Sequence, residues 1–325
     1  MPKPKSVKTP GPVIVIGGAN MDLKCRIGGA EIMATSNPGA IALTAGGVAR
    51  NVAETLARLG LPTGLIAAIG RDGLGEELMV QTRAAGVDMK MVLRGRFATG
   101  SYAAVLIRGG ELLIGVAAME ATQHLTPAVL KRHRNRLRRA RLIVADCNLP
   151  MATLHWLIRF AAEAEVPLAL ETVSVPKVKR LRAILHRRLP IFALFSNRAE
   201  IAAITGKKTR SRLGLASAAR WLHDRRVQHI AIGLGSQGMF VSSAAGKKGS
   251  IVPSRRRKII DVTGAGDAAV AGSLFGLLRG FDPTRAAICG QAAAALTAAS
   301  EQSVSRELSS RALLRAVGKA RTRSR

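Results

Sequence analysis

Aromatic side chains are scarce in this chain: Phe, Trp and Tyr make up 3% of its 325 residues. Proteins that hold single-stranded nucleic acid stack bases on such rings, so the shortage argues against a dedicated base-stacking surface. Cysteine is as sparse. Cys25, Cys147 and Cys289 are isolated, with no Cys-x-x-Cys spacing, which excludes a disulfide framework and a zinc site and suggests a reducing compartment. The six histidines form no His-x-x-x-His pair and stand beside no cysteine or acid at metal-ligand spacing. Long apolar runs are missing too. The longest, Ala286–Ala299, is Ala-rich and too short to span a bilayer, and Met1–Pro12 offers Lys and Pro but no apolar core of a signal peptide. A soluble, cytoplasmic protein is the expectation.

Acids are the last shortage. Twenty Asp and Glu face 50 Lys and Arg, a net charge of +30. That excess favours polyanions, nucleotides and nucleic acids alike. The basic residues are dispersed, however, over Lys131–Arg141, Lys177–Arg188, Lys207–Arg212, Arg220–Arg226 and Arg255–Lys258, several of them on the polar faces of helical patterns. A solvated basic surface follows, with nucleic acid as a weak, non-specific partner at most. The short stretch before the first strand pattern leaves no room for a helix-turn-helix reader.

What the chain does have is concentrated in Asp261-Val-Thr-Gly-Ala-Gly-Asp267, followed at once by an Ala-rich helical pattern. Gly264 and Gly266 open backbone conformations closed to other residues. The amides of Gly264, Ala265, Gly266 and Asp267 then crown a helix N-terminus, a site for anionic oxygens. Asp267 is expected there as an unpaired carboxylate, a base beside an anion hole, which suits removal of a hydroxyl proton while phosphoryl charge is stabilised next door. An acidic helix cap is the plain alternative. A second glycine turn, Gly46-Gly47, precedes an amphipathic helix with Val48, Val52, Leu56 and Leu59 on one stripe and Asn51 in its first turns.

The two segments, in this order and at this distance, resemble the ribokinase-like (PfkB) family of sugar and nucleoside kinases, over about Val13 to Leu314. The resemblance implies an ATP-dependent phosphotransferase that uses Mg²⁺. It implies Asp267 as the base and Gly264, Ala265 and Gly266 as the anion hole. Asn197-Arg-Ala-Glu200 matches the family's Asn-x-x-Glu motif, which helps place hydrated Mg²⁺ and the phosphates; by itself it reads as an ordinary capping box. Gly233-Leu-Gly-Ser-Gln-Gly238 resembles the nucleotide loop, with Gly233, Gly235, Ser236 and Gly238 against ATP, though it also reads as a glycine turn before a hairpin. Asn20 and Asp22, with Gly46, Gly47 and Asn51, match the sugar-contacting positions, and a carboxylate can accept from two vicinal hydroxyls. Asp261 and Thr263 match positions that in several relatives help bind a monovalent cation such as K⁺, with carbonyls from about Thr297–Ser303.

Strand and helix patterns alternate from Leu142 to Leu234, which predicts a mainly parallel sheet with helices on both faces, and ligands beyond the carboxyl ends of its strands. The expected fold is the ribokinase-like three-layer α/β/α domain over 12–317, between basic tails at 1–11 and 318–325. A small β-sheet lid is expected from segments near 20–45 and 96–117, the second a hairpin around Gly109-Gly110. Such lids often pair between subunits, so a homodimer is expected by resemblance. Gly17-Gly-Ala-Asn-Met-Asp22, Thr35-Ser-Asn-Pro-Gly39 and Val48-Ala-Arg-Asn51 together resemble the pseudouridine kinases within the family. That implies transfer of phosphate from ATP to the nucleoside's 5′-hydroxyl. Another nucleoside, a sugar such as ribose, or a non-catalytic ligand-binding or nucleic-acid-associated role stand as alternatives.

Overall fold

A computed structural model describes residues 11–107, 111–246, 249–255 and 257–321; the expected turn at Gly109-Gly110 and most of both basic tails lie outside the described residues. The chain begins with β1 (Val13–Ile16), whose four residues are all apolar because both faces of the strand are covered. Successive side chains alternate. Ile14 and Ile16 join one buried cluster with Ile143, Leu157 and Leu194, and Val13 and Val15 join another with Val52, Val144 and Leu274.

The chain then builds a small sheet from β2 (Asn20–Ile27) and β3 (Gly39–Gly46) before returning to the large sheet with β4 (Thr63–Ile66). A parallel pair, β5 (Ala68–Gly70) and β6 (Leu93–Gly95), precedes β7 (Gly100–Leu106) and β8 (Leu112–Ala118). The small sheet has the order β3-β2-β7-β8, with β2 parallel to β7 and the other pairs antiparallel. Its outer face leaves Ile41, Leu43, Ile114 and Val116 in solvent.

The rest of the chain adds β9 (Leu142–Asp146), β10 (Leu168–Glu171), β11 (Ile191–Asn197), β12 (Val227–Gly233), β13 (Met239–Ser243) and β14 (Ser250–Val252). The large sheet runs β14-β13-β12-β11-β10-β9-β1-β4 and is parallel from β4 to β12, with the last two strands antiparallel. From β1 the chain goes first to β4 on one side and later to β9 on the other. That reversal opens a crevice at the carboxyl ends of β1 and β9, where such sheets bind ligands. The helix Ala265–Leu278 is buried nearly all round against Pro283–Ala298. Among the described residues, no helix is long and apolar enough to cross a membrane.

Candidate active site

The site collects at the carboxyl ends of the parallel strands. Gly264 sits at the N-terminus of the helix Ala265–Leu278 with φ +76°. A Cβ there would lie 1.9 Å from the Ser303 carbonyl oxygen, so the turn has no room for another residue. The amides of Gly266 and Asp267 belong to the first helical turn, which has no preceding helical carbonyl to accept from them. Space beside Gly266 is open. The amide of Ala265, expected in the anion hole, instead donates to the Val262 carbonyl at 3.1 Å.

The unpaired carboxylate expected at Asp267 is also corrected. Asn51 Nδ2 donates to Asp267 Oδ2 at 2.8 Å. What aims that amide is a neighbour the sequence does not single out for this task. The buried Arg50 guanidinium donates to Asn51 Oδ1 and to the Ala45 carbonyl, both at 3.0 Å, and is paired with Glu54, which also takes Arg58 Nε at 2.7 Å. With its oxygen committed to Arg50, the Asn51 amide has only its NH₂ left for Asp267. Burial pushes the Asp267 carboxyl up to about 7, with the Asp146 and Asp22 carboxylates pushing the same way against the Asn51 hydrogen bond.

At the small-sheet end of the site, Asn20, Asp22 and Lys24 share one face of β2 and are all buried. Asn20 Nδ2 donates to Asp22 Oδ1 at 2.6 Å. Burial raises the Asp22 carboxyl despite that bond and the charges of Lys24 and Arg50. Gly46 leaves room for Asp22, since a Cβ there would lie 2.2 Å from its Oδ2. Gly47, with φ +96°, closes on Gly18 and Ala19.

At the end of β11, Asn197 and Glu200 form a complete capping box: Asn197 Oδ1 accepts from the Glu200 amide at 2.9 Å and Glu200 Oε2 from the Asn197 amide at 3.0 Å. Glu200 also accepts from Asn197 Nδ2 at 2.7 Å and Thr172 Oγ1 at 2.5 Å. Strand register sets Asn197 beside Gly233. The loop beyond is a 3-10 turn, Gly235–Gln237, with Ser236 exposed and its carbonyl held by Ser254 Oγ at 2.5 Å. A Cβ at Gly238 would meet the Val252 carbonyl oxygen at 2.1 Å. Asp261 Oδ1 accepts from the Thr263 amide at 2.8 Å, while its other oxygen is paired with Lys24.

Two further acids stand at strand ends, and a lysine of the helix Val175–Leu185 lies near them; no sequence motif marks any of the three. Asp146, at the end of β9, accepts from the amides of Gly18 at 2.8 Å, Ala49 at 3.2 Å and Asn148 at 2.9 Å, and so ties the first glycine turn to the helix bearing Asn51. Glu171, at the end of β10, has a buried Oε2 with no hydrogen-bond partner among the described residues. Burial, then the carboxylates of Asp267, Asp146 and Glu200, hold Glu171 well above the usual range. Lys177 reaches Asn148 Oδ1. The usable signal was positional: each acid ends a parallel strand.

No group of three or more His, Cys, Asp or Glu among the described residues could hold a metal by itself. The orphaned Glu171 oxygen beside Glu200 fits a hydrated Mg²⁺ held mainly by phosphates, the usual manner for that ion.

A profile described as "pfkB family carbohydrate kinase" matches residues 12–309. The chain belongs to the PfkB carbohydrate kinase family. It is 35% identical over 262 residues to a pseudouridine kinase of Escherichia coli (strain K12), covering 80% of this chain and 82% of that protein. Among solved structures, a carbohydrate kinase from Agrobacterium tumefaciens superposes with a TM-score of 0.81 at 32% identity, over 95% of this chain and 97% of that one. Arabidopsis thaliana ribokinase complexed with ribose and ATP shares the fold at TM-score 0.80 and 20% identity, over 94% and 98% of the two chains. The ribokinase-like fold, with its mostly parallel sheet flanked by helices and its smaller second sheet, is therefore as the sequence implied.

The Asn51–Asp267 contact gives this kinase fold a testable pH signature. Asp267 can act as a base only when ionised, so with its carboxyl raised to about 7, kcat/KM should fall as pH drops through that value and level off above it. Asn51→Ala removes a hydrogen bond that favours the charged form and should move the limb to higher pH. An unmoved limb in that variant would show that Asn51 does not set the ionisation of the base.

Proposed function

We propose that this kinase transfers the γ-phosphoryl group of ATP to the 5′-hydroxyl of pseudouridine, giving pseudouridine 5′-phosphate and ADP. The observation behind the chemistry is the place of Asp267. It stands in the first turn under the anion loop, is bonded to Asn51 from the helix behind Gly46-Gly47, and feels the Asp22 carboxylate of the acceptor side. The likeness to the Escherichia coli pseudouridine kinase supports the choice of acceptor.

In this reading Asp22 and Asn20 hold the ribose hydroxyls, with Gly46 and Gly47 letting the sugar approach the backbone. Asp267 accepts the 5′-hydroxyl proton as the oxygen attacks phosphorus. The Gly264 and Gly266 amides, with that of Asp267, take up charge on the transferred group. Asn197, Glu200 and the turn from Gly233 to Gly238 face the nucleotide. Mg²⁺, when bound with ATP near Glu200 and Glu171, would neutralise phosphate charge. The small sheet, with the segment 35–39 that leads into β3, serves as the lid that keeps water off the reacting phosphate.

ADP release with Mg-ATP against pseudouridine, uridine, adenosine, ribose and fructose tests the proposal directly. Turnover confined to pseudouridine is expected. Turnover with ribose or fructose instead would keep Asp267 and discard the acceptor, and silence on all five would remove the substrate reading altogether.

A further inference from the structure

Asp261 stands three residues before Gly264, at the start of the loop that builds the anion hole. A bare carboxylate there would oppose the phosphoryl charge that the hole must hold. The structure provides its counter-charge from an unexpected direction. Lys24, on the small sheet and 237 residues away in sequence, places its ammonium on Asp261 Oδ2 and within 3.5 Å of the Glu301 carbonyl oxygen. Both side chains are largely covered, at 10% and 16% exposure. Burial alone would raise the Asp261 carboxyl, but the bonds from Lys24 and Thr263 hold it below the usual range.

The end of the helix Pro283–Ala298 and the segment after it are bound to the same loop. Ile260 and Asp261 donate their amides to the Ala298 carbonyl at 2.8 and 3.2 Å, and Gly264 closes on the Ser303 carbonyl. The hydroxyls of Thr297 and Ser303 on this segment are buried without a hydrogen-bond partner among the described residues. A loop with one carboxylate, facing carbonyls and orphaned hydroxyls needs a cation of ammonium or potassium size. Here the carboxylate and the Glu301 carbonyl are already turned to Lys24, so a resident K⁺ does not fit beside it.

We infer that the Lys24 ammonium is the built-in cation of the Asp261 loop and makes the anion hole independent of soluble monovalent cations. Lys24 shares its strand face with Asn20 and Asp22, so the same ion pair also ties the acceptor-side sheet to the phosphate-side loop. It is a positioning residue. It acts through Asp261 and the Gly264 turn and is not assigned to the substrate. The inference rests on the kinase reading of that turn, and its test separates the two.

Wild type and Lys24→Ala are compared in KCl and in tetramethylammonium chloride at one ionic strength, by ADP release and by thermal melting. Wild-type rate and Tm should be the same in both salts. Lys24→Ala should lose on the order of tenfold in rate in tetramethylammonium and recover in K⁺, because potassium and ammonium are nearly equal in radius and the deletion leaves a cation-sized gap beside a carboxylate. Its Tm should rise with K⁺ while that of wild type does not, since a ligand that binds only the folded state stabilises it by mass action. K⁺ activation of wild type would overturn the inference without any variant, and so would a loss in folded Lys24→Ala that K⁺ leaves unrestored. Should wild type release no ADP in either salt, the kinase reading fails, and the melting comparison still decides the cation question. If Lys24→Ala does not fold, Lys24→Ser, which leaves the same gap, takes its place in the same comparison.

Discussion

Asp267→Asn is expected to lower kcat by about 10²- to 10⁴-fold while ATP binding and the melting temperature stay near those of the parent. The substitution keeps the shape of the side chain and removes its negative charge and with it the ability to accept a proton. Asp267 lies on the first turn of a helix whose remaining residues are packed by small apolar contacts, so the fold does not depend on its charge. Burial raises the Asp267 carboxyl to about 7, so replacing it by a neutral amide removes a charge the protein pays to hold. Nucleotide affinity, read by fluorescence or calorimetry, should survive or improve slightly, because one negative charge near the phosphates is gone. A variant that turns over at the parental rate would remove Asp267 as the base. One that also fails to bind ATP would mean the carboxylate helps to build the phosphate site, with Asp146 and Glu171 becoming the acids to test next.

Arg50→Met should cost about 3–5 kcal/mol of stability, the range for breaking a buried ion pair. Arg50 and Glu54 are each 4% exposed, and the guanidinium also satisfies the Ala45 carbonyl, the Asn51 amide oxygen and Thr82 Oγ1. Arg58 still pairs with Glu54, which places the expected loss at the lower end. The check is urea unfolding: a lower midpoint at an unchanged m-value reports stability alone. Replacing both partners, Arg50→Met with Glu54→Leu, should recover part of the loss, since it leaves no unpaired buried carboxylate and the Arg58 guanidinium that also loses Glu54 is partly open to solvent. The activity readout should not recover in step. Without Arg50 the Asn51 oxygen loses the donor that helps hold its amide toward Asp267, so kcat should remain low in a double variant that is stable again. Full recovery of both together would show that Arg50 has no part in aiming Asn51.

Gly46-Gly47 and the segment Asp261–Asp267 carry the family resemblance in the sequence alone. Such motifs are visible because part of their constraint is local: Gly264 and Gly47 both take positive φ, a backbone state that favours glycine. The parallel sheet was legible for a similar reason, since strands covered on both faces, such as Val13–Ile16, read as unbroken apolar runs. Helices with weaker marks, such as Val175–Leu185 between β10 and β11, did not announce themselves.

The sequence by itself determined the fold family and marked the glycine turn at Gly264 and the acid that follows it, because each is written in residues within one turn of backbone. Only the tertiary structure decided what those groups touch. Asn51 meets Asp267 across 216 residues, Lys24 meets Asp261 across 237, and Asp146 joins the Gly18 turn across 128. It also showed that the Ala265 amide is spent on Val262 and that Glu171 ends its strand with an unmatched buried oxygen. A contact between distant segments constrains neither partner's neighbours, so it leaves no local pattern to read; it exists only once the sheet has brought the strand ends together.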